Sequence, residues 1–141
     1  MTAAPTYLLD TSAILTLIED EPGADRVEAL LREYGEQVLL PFVAILEATY
    51  ITLREVGEAV AERRYALMRQ LPCTELWSVD EPTLLTAARF KAQARVSFTD
   101  ALIAAFAARN GAILVHKDPA YEALGDRVAL EALPYRAAGT R

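Results

Sequence analysis

The chain has 141 residues, a length that suits one domain whose core needs neither disulfides nor a structural metal. Cys73 is its only cysteine and His116 its only histidine, which excludes an intrachain disulfide and a Cys/His zinc site and leaves little material for a Cys–His nucleophilic pair. The net charge of −6 speaks against a general nucleic-acid coat but not against a nuclease, because acids that hold cations are neutralised locally.

Hydrophobic residues make up 53% of the chain, which fits either a well-filled core or extra apolar surface covered by a partner or a second copy. No basic start precedes an apolar stretch at the N-terminus, and the longest purely apolar run, 101–108, is too short to span a bilayer. The expectation is a soluble, cytoplasmic protein with no membrane partner. Of the 14 basic residues 12 are arginine, the better residue for bidentate phosphate contacts, although genome composition produces the same bias.

Taken in chain order, residues 7–9 read as a short buried strand that ends at Asp10. Ser12 is read as the cap of a helix running to 19, which Pro22 and Gly23 break, and a second helix covers 24–34. A strand over 37–40 is stopped by Pro41, and a helix over 42–56 follows, with Gly57 as a soft break. Residues 59–71 are helical, with Val60, Leu67, Met68 and Leu71 on one stripe, and Pro72 ends them. Residues 74–79 read as a third strand; Asp80 caps the next helix, with Pro82 in its first turn, and that helix runs to 94. Ser97 opens a helix that Asn110 and Gly111 close. Residues 112–115 form an apolar fourth strand, 119–124 a short helix, Gly125 and Asp126 a turn, and 127–130 a last strand. Residues 132–141 are expected to be a loose tail, and no repeat or linker divides 1–141 into more than one domain.

Short apolar strands alternating with helices predict an α/β fold: a mostly parallel sheet of four to five strands with helices on both faces. In such sheets sites lie beyond the carboxyl ends of the strands, which is where Asp10 and Asp118 fall.

Among the 20 acidic residues four stand apart because their neighbours are apolar. Asp10, in Tyr-Leu-Leu-Asp-Thr-Ser, is either a helix-start residue or a ligand, and with Ser12 read as the cap the first role is partly redundant. Glu47 has Val43, Ala44, Tyr50 and Ile51 at helical spacing, so a local surface ion pair does not account for it. Asp100 completes a Ser-x-x-Asp pattern that fits a capping box as well as a site, but the helix it opens is apolar all round and predicted to be buried. Asp118 precedes a proline, as turn residues do, yet stands just past a buried strand. An all-carboxylate set suits a hard ion, Mg²⁺ with Mn²⁺ as substitute, and such ions serve phosphate chemistry.

Leu9-Asp10-Thr11-Ser12, Glu47 within a helix, Asp100-Ala-Leu-Ile-Ala-Ala opening another, and Val115-His-Lys-Asp118-Pro-Ala-Tyr121 after a strand resemble the PIN-domain family, and most closely its VapC-type toxins of toxin–antitoxin pairs. The resemblance spans about 7–130. It implies a mostly parallel sheet between helices, RNA phosphodiester cleavage with Mg²⁺ or Mn²⁺ held by Asp10, Glu47, Asp100 and Asp118, a homodimer, and a small antitoxin that threads a segment across the active site. Thr11 or Ser12 matches the small hydroxyl position that steadies the first acid or a water. His116 departs from the pattern, which has Thr there, and puts the hydrogen bonding around Asp118 in question; it either touches a carboxylate or substrate, or is a buried strand-end residue with no catalytic part.

The expected mechanism is in-line attack of an ion-activated water on an RNA phosphate, with Asp10, Asp100 and Asp118 as the main ligands and Glu47 holding a second ion or orienting the water. Arg89, Lys91, Arg95 and Lys117 flank Asp100 and Asp118 and are candidate phosphate contacts or ordinary solvated surface. Two other readings compete. Asp10 as the nucleophile of a phosphoryl-transfer enzyme lacks the second Asp such enzymes place two residues on, where Ser12 stands, and a non-catalytic RNA- or protein-binding domain does not require an intact acidic quartet.

Overall fold

The computed structural model describes residues 4–136. Five parallel strands form one sheet in the order β3-β2-β1-β4-β5: β1 (Tyr7–Leu9), β2 (Val38–Pro41), β3 (Thr74–Leu76), β4 (Ile113–His116) and β5 (Leu130–Ala132). Six α-helices connect them: α1 (Thr11–Ile18), α2 (Ala24–Tyr34), α3 (Phe42–Glu55), α4 (Glu58–Arg69), α5 (Glu81–Gln93) and α6 (Phe98–Arg109). Short 3-10 segments cover Gly35–Gln37 and Pro119–Leu124. The predicted α/β architecture is therefore the observed one.

The period-two alternation of the strands divides the core into two layers. Tyr7, Leu9, Val38, Leu40 and Val115 point to one side, where α1, α2 and Met68 of α4 cover them. Leu8, Leu39 and Leu114 point to the other, beneath Phe90 of α5 and the alanine-rich α6. Both faces are thus dry, which explains why these strands read as continuous apolar runs. At about 25 cal/mol per Å² of apolar surface, each fully buried Leu or Ile contributes on the order of 1.5–3 kcal/mol.

Several boundaries differ from expectation. β3 stops at Leu76 instead of 79, since an edge strand has only β2 to pair with and its three residues are half exposed. The last strand begins at Leu130, where pairing with Leu114 starts; residues before it follow the 3-10 segment as a turn, with the Val128 N–H donating to the Leu124 carbonyl. The segment expected to be loose from 132 onward is held as far as Arg136. Ala132 pairs with His116, the Leu133 N–H donates to the His116 carbonyl at 2.7 Å, and Leu133 is buried. Gly23 makes that packing possible: it caps α2 at φ 109°, and a Cβ there would stand 3.2 Å from Leu133 Cβ. Residues 137–141 of the predicted tail lie outside the described residues.

The chain order of the sheet reverses between β1 and β4, which lie side by side with Leu9 in register with Val115. Such a switch point leaves a crevice at the carboxyl ends of the two strands. Asp10 and Asp118 both stand at that edge.

Candidate active site

A pocket of about 580 Å³ opens at the switch point, lined by Asp10, Glu47, Asp100 and Asp118 with Thr11, Ser12, Lys117 and Arg136. The four acids singled out in the sequence therefore converge, although they come from four different segments.

Asp10 follows β1 directly, and it, not Ser12, is the N-cap of α1: its Oδ2 accepts the Ser12 N–H at 3.1 Å. This corrects the sequence-based assignment, in which the Ser12 hydroxyl did the capping. Ser12 lies inside the first turn, where its Oγ donates to the same Oδ2 at 2.5 Å and accepts the Lys117 N–H at 2.9 Å. Asp10 is only 3% exposed, and burial raises its pKa despite the donors around it.

Asp100 sits in the first turn of α6. Ser97 does cap that helix, its Oγ accepting the Asp100 N–H at 3.1 Å. The carboxylate, however, faces the interior, with Oδ1 at 3.0 Å from the Tyr121 hydroxyl. The competition between capping box and site is resolved by a division of labour: the backbone serves the cap and the side chain faces the pocket. Burial, followed by the charge of Asp10, pushes the Asp100 carboxyl up to about 7.

Glu47 is half-buried on α3, a helix that starts at once where β2 ends in Pro41. Its pKa is raised first by burial and further by the charges of Asp10 and Asp118, while the Thr11 hydroxyl beside it acts in the opposite direction. Asp118 caps the 3-10 segment, accepting the Ala120 N–H at 2.9 Å. Its own N–H donates to His116 Nδ1 at 3.2 Å. His116 is thus the acceptor that fixes the backbone of the last acid; it is 1% exposed, and burial lowers its pKa, so it serves as the neutral ring with its proton assigned to Nε2.

Tyr121, Glu21 and Arg136 are absent from the sequence-derived site. The Tyr121 hydroxyl donates to Asp10 Oδ1 at 2.7 Å and reaches Asp100 as well. A buried tyrosine requires a partner for its hydroxyl, so its place three residues after Asp118 was the available signal. Lys117 is buried with its Nζ 3.7 Å from Glu21, and Arg136 pairs with the same Glu21. Nothing in the sequence pairs Glu21 with residues about a hundred positions later. Arg89, Lys91 and Arg95 do not line the pocket; Lys91 Nζ instead donates to the Val96 carbonyl at 3.0 Å.

The donor set fits a hard divalent cation. All four acids offer oxygen, three have raised pKa values that a cation would reverse, and among the described residues none is in a salt bridge with Lys or Arg. The Thr11 hydroxyl oxygen is buried in the pocket wall without a partner of hydrogen-bonding geometry. No group of three His, Cys, Asp or Glu side chains among the described residues forms a ready-made cage.

The model of the PIN domain matches residues 7–126. The chain belongs to the PIN-domain family. Its fold is shared with VapBC2 from Rickettsia felis, solved bound to a promoter DNA fragment (TM-score 0.74, 12% identity, 92% of this chain and 99% of that one). It is shared also with VapC20 of Mycobacterium tuberculosis, described as a sarcin–ricin loop cleaving toxin (TM-score 0.70, 16% identity, 92% and 100%), and with DNA-bound VapBC from Salmonella typhimurium (TM-score 0.67, 17% identity, 92% and 98%). No curated protein sequence matches the chain. Among the described residues no helix of this PIN domain is long and apolar enough to cross a membrane.

Proposed function

We propose that this PIN domain is a Mg²⁺- or Mn²⁺-dependent endoribonuclease, the toxin of a toxin–antitoxin pair. The observation that carries the reading is the convergence of Asp10, Glu47, Asp100 and Asp118 in one pocket at the switch point of the sheet, with two cations at its wall. Asp10, Asp100 and Asp118 hold the ion, and Glu47 holds a second ion or orients the attacking water. When bound, the ion supplies polarisation of the phosphoryl oxygen and activation of water. Ser12 and Tyr121 fix the Asp10 carboxylate, and His116 fixes the backbone at Asp118. Lys117 and Arg136 bring positive charge to the same pocket and are suited to contact RNA phosphates.

The partners follow from the same reading: an RNA substrate, a second copy of the chain, and a small antitoxin. VapBC assemblies of the same fold support the last of these. Incubation with transfer and ribosomal RNAs in Mg²⁺ or Mn²⁺, against EDTA and Asp10→Asn controls, tests the activity. Discrete cleavage that needs both the ion and Asp10 is expected; full cleavage by Asp10→Asn would remove the assignment. Co-expression with the product of an adjacent small open reading frame, followed by sizing of the complex, tests the partners.

A further inference from the structure

We propose that Tyr121 is a positioning residue of the acidic site, acting through Asp10 and Asp100 and thereby setting the affinity of the pocket for a hard divalent cation. The inference rests on the nuclease reading above and deepens it.

Tyr121 is fully buried and does not line the pocket, so it stands behind the carboxylates and out of reach of substrate. Its hydroxyl is 2.7 Å from Asp10 Oδ1 and 3.0 Å from Asp100 Oδ1. These two acids belong to separate parts of the chain, one at the end of β1 and the other in the first turn of α6, and the phenol spans the gap between them. Asp10 Oδ2 is already engaged by the Ser12 N–H and hydroxyl. With Tyr121 on Oδ1, both oxygens of Asp10 are held and its carboxylate plane is set. A phenol has a single proton, so while it donates to Asp10 it cannot also donate to Asp100. Asp100 Oδ1, at the longer distance, is therefore the less tightly held of the pair.

The ring is anchored in its turn. It packs against His116 with centroids 5.1 Å apart, and His116 receives the Asp118 N–H. One buried His–Tyr pair thus registers three of the four acids. Packing alone does not account for the hydroxyl: phenylalanine would fill the same space without taking a polar group out of water. Residues that hold metal ligands in this way commonly change ion affinity about 10–100-fold when altered.

The test uses the full chain and Tyr121→Phe, which keeps the ring. Mn²⁺ binding is measured by titration calorimetry without RNA, folding by the urea midpoint, and cleavage by separate kcat and KM values. Tyr121→Phe is expected to keep its fold, to bind Mn²⁺ about tenfold or more weakly, and to lose kcat with little change in KM. Mn²⁺ affinity within about twofold of wild type with kcat intact overturns the proposal and leaves Tyr121 a packing residue. Should the variant fail to fold, the wild-type chain labelled with ¹³C at tyrosine Cζ still decides: the Tyr121 signal moves on addition of Mg²⁺, or it stays and the proposal falls. A wild-type chain that binds no Mn²⁺ removes the nuclease reading and this proposal together. Binding that Asp10→Asn abolishes but Tyr121→Phe leaves intact removes this proposal alone.

Discussion

Ser12 and Lys117 are joined across the mouth of the sheet: the Lys117 N–H donates to Ser12 Oγ at 2.9 Å, and that same hydroxyl donates a hydrogen bond to Asp10 Oδ2. One side chain thereby couples the ends of β1 and β4, the two neighbouring strands from which Asp10 and Asp118 emerge.

Ser12→Ala is the direct test of this coupling. It leaves the Lys117 N–H without its acceptor and removes a donor from the buried Asp10. An orphaned buried donor costs about 1–3 kcal/mol, so the urea midpoint is expected to fall accordingly. Cleavage should weaken beyond that loss, because the spacing of Asp10 and Asp118 is relaxed. Unchanged stability and activity would show that water replaces the hydroxyl at no cost.

The carboxyl of Asp100, raised to about 7 by burial and by the charge of Asp10, gives the ion-free chain a defined pH dependence. Between its ordinary pKa of about 4 and the raised value, the folded state keeps a proton that the unfolded state has released. Stability contributed by this group is therefore present at low pH and is lost as pH rises through that window. Asp100→Asn carries no such titration. In EDTA the variant is expected to be more stable than wild type at about pH 8, with the gap closing toward about pH 5. The comparison cancels His116, whose lowered pKa acts in the opposite direction in both proteins. Mg²⁺ should reverse the gap at high pH by binding the ionised wild-type site. Thermal midpoints across pH, with and without Mg²⁺, provide the measurement, and a constant gap would contradict the burial of Asp100.

The backbone pattern and the acids were legible in the sequence for different reasons. β1, β2 and β4 are apolar on both faces because both faces are covered, and the four acids stood out because their neighbours are apolar. What escaped depended on contacts between distant positions. Asp10 displaced Ser12 as the helix cap because the helix begins at Thr11, two residues earlier than a Ser12 cap would start it. The packing of Leu133 is set by its approach to Gly23, and the Tyr121 bridge by the sheet order, neither of which leaves a local pattern. Glu21, which follows Glu19 and Asp20 in the chain, is the shared partner of Lys117 and Arg136, a pairing that no local pattern announces.

His116 tests whether the backbone of Asp118 must be fixed. His116→Leu keeps an apolar side chain under Tyr121 and Tyr135 but removes the acceptor of the Asp118 N–H. A stability loss of about 1–3 kcal/mol is expected from that orphaned donor, with a larger relative loss of Mn²⁺ affinity than of stability. His116→Asn restores an acceptor and should recover part of both. Because burial holds the imidazole neutral, the acid limb of the pH–rate profile should survive in His116→Asn; its disappearance would mean that His116 itself exchanges a proton in the reaction.

Lys117 and Arg136 test the path of the RNA. Both line the acidic pocket and both share Glu21 as counter-ion, so in the free protein their charge is partly satisfied within the chain. A bound phosphate would take over that role, releasing condensed counter-ions from the RNA. Each cation that contacts a phosphate contributes about one to the slope of log affinity against log salt. Lys117→Met and Arg136→Gln are therefore expected to weaken binding to a fluorescent single-stranded oligoribonucleotide and to flatten that slope by about one each, while Mn²⁺ affinity stays at the wild-type level. Arg89→Gln and Arg95→Gln, at positions away from the pocket, serve as the comparison. If these two flatten the slope and the pocket variants do not, the RNA runs along the end of α5 instead, and the Glu21 pair is a structural clamp that holds the C-terminal segment against α1.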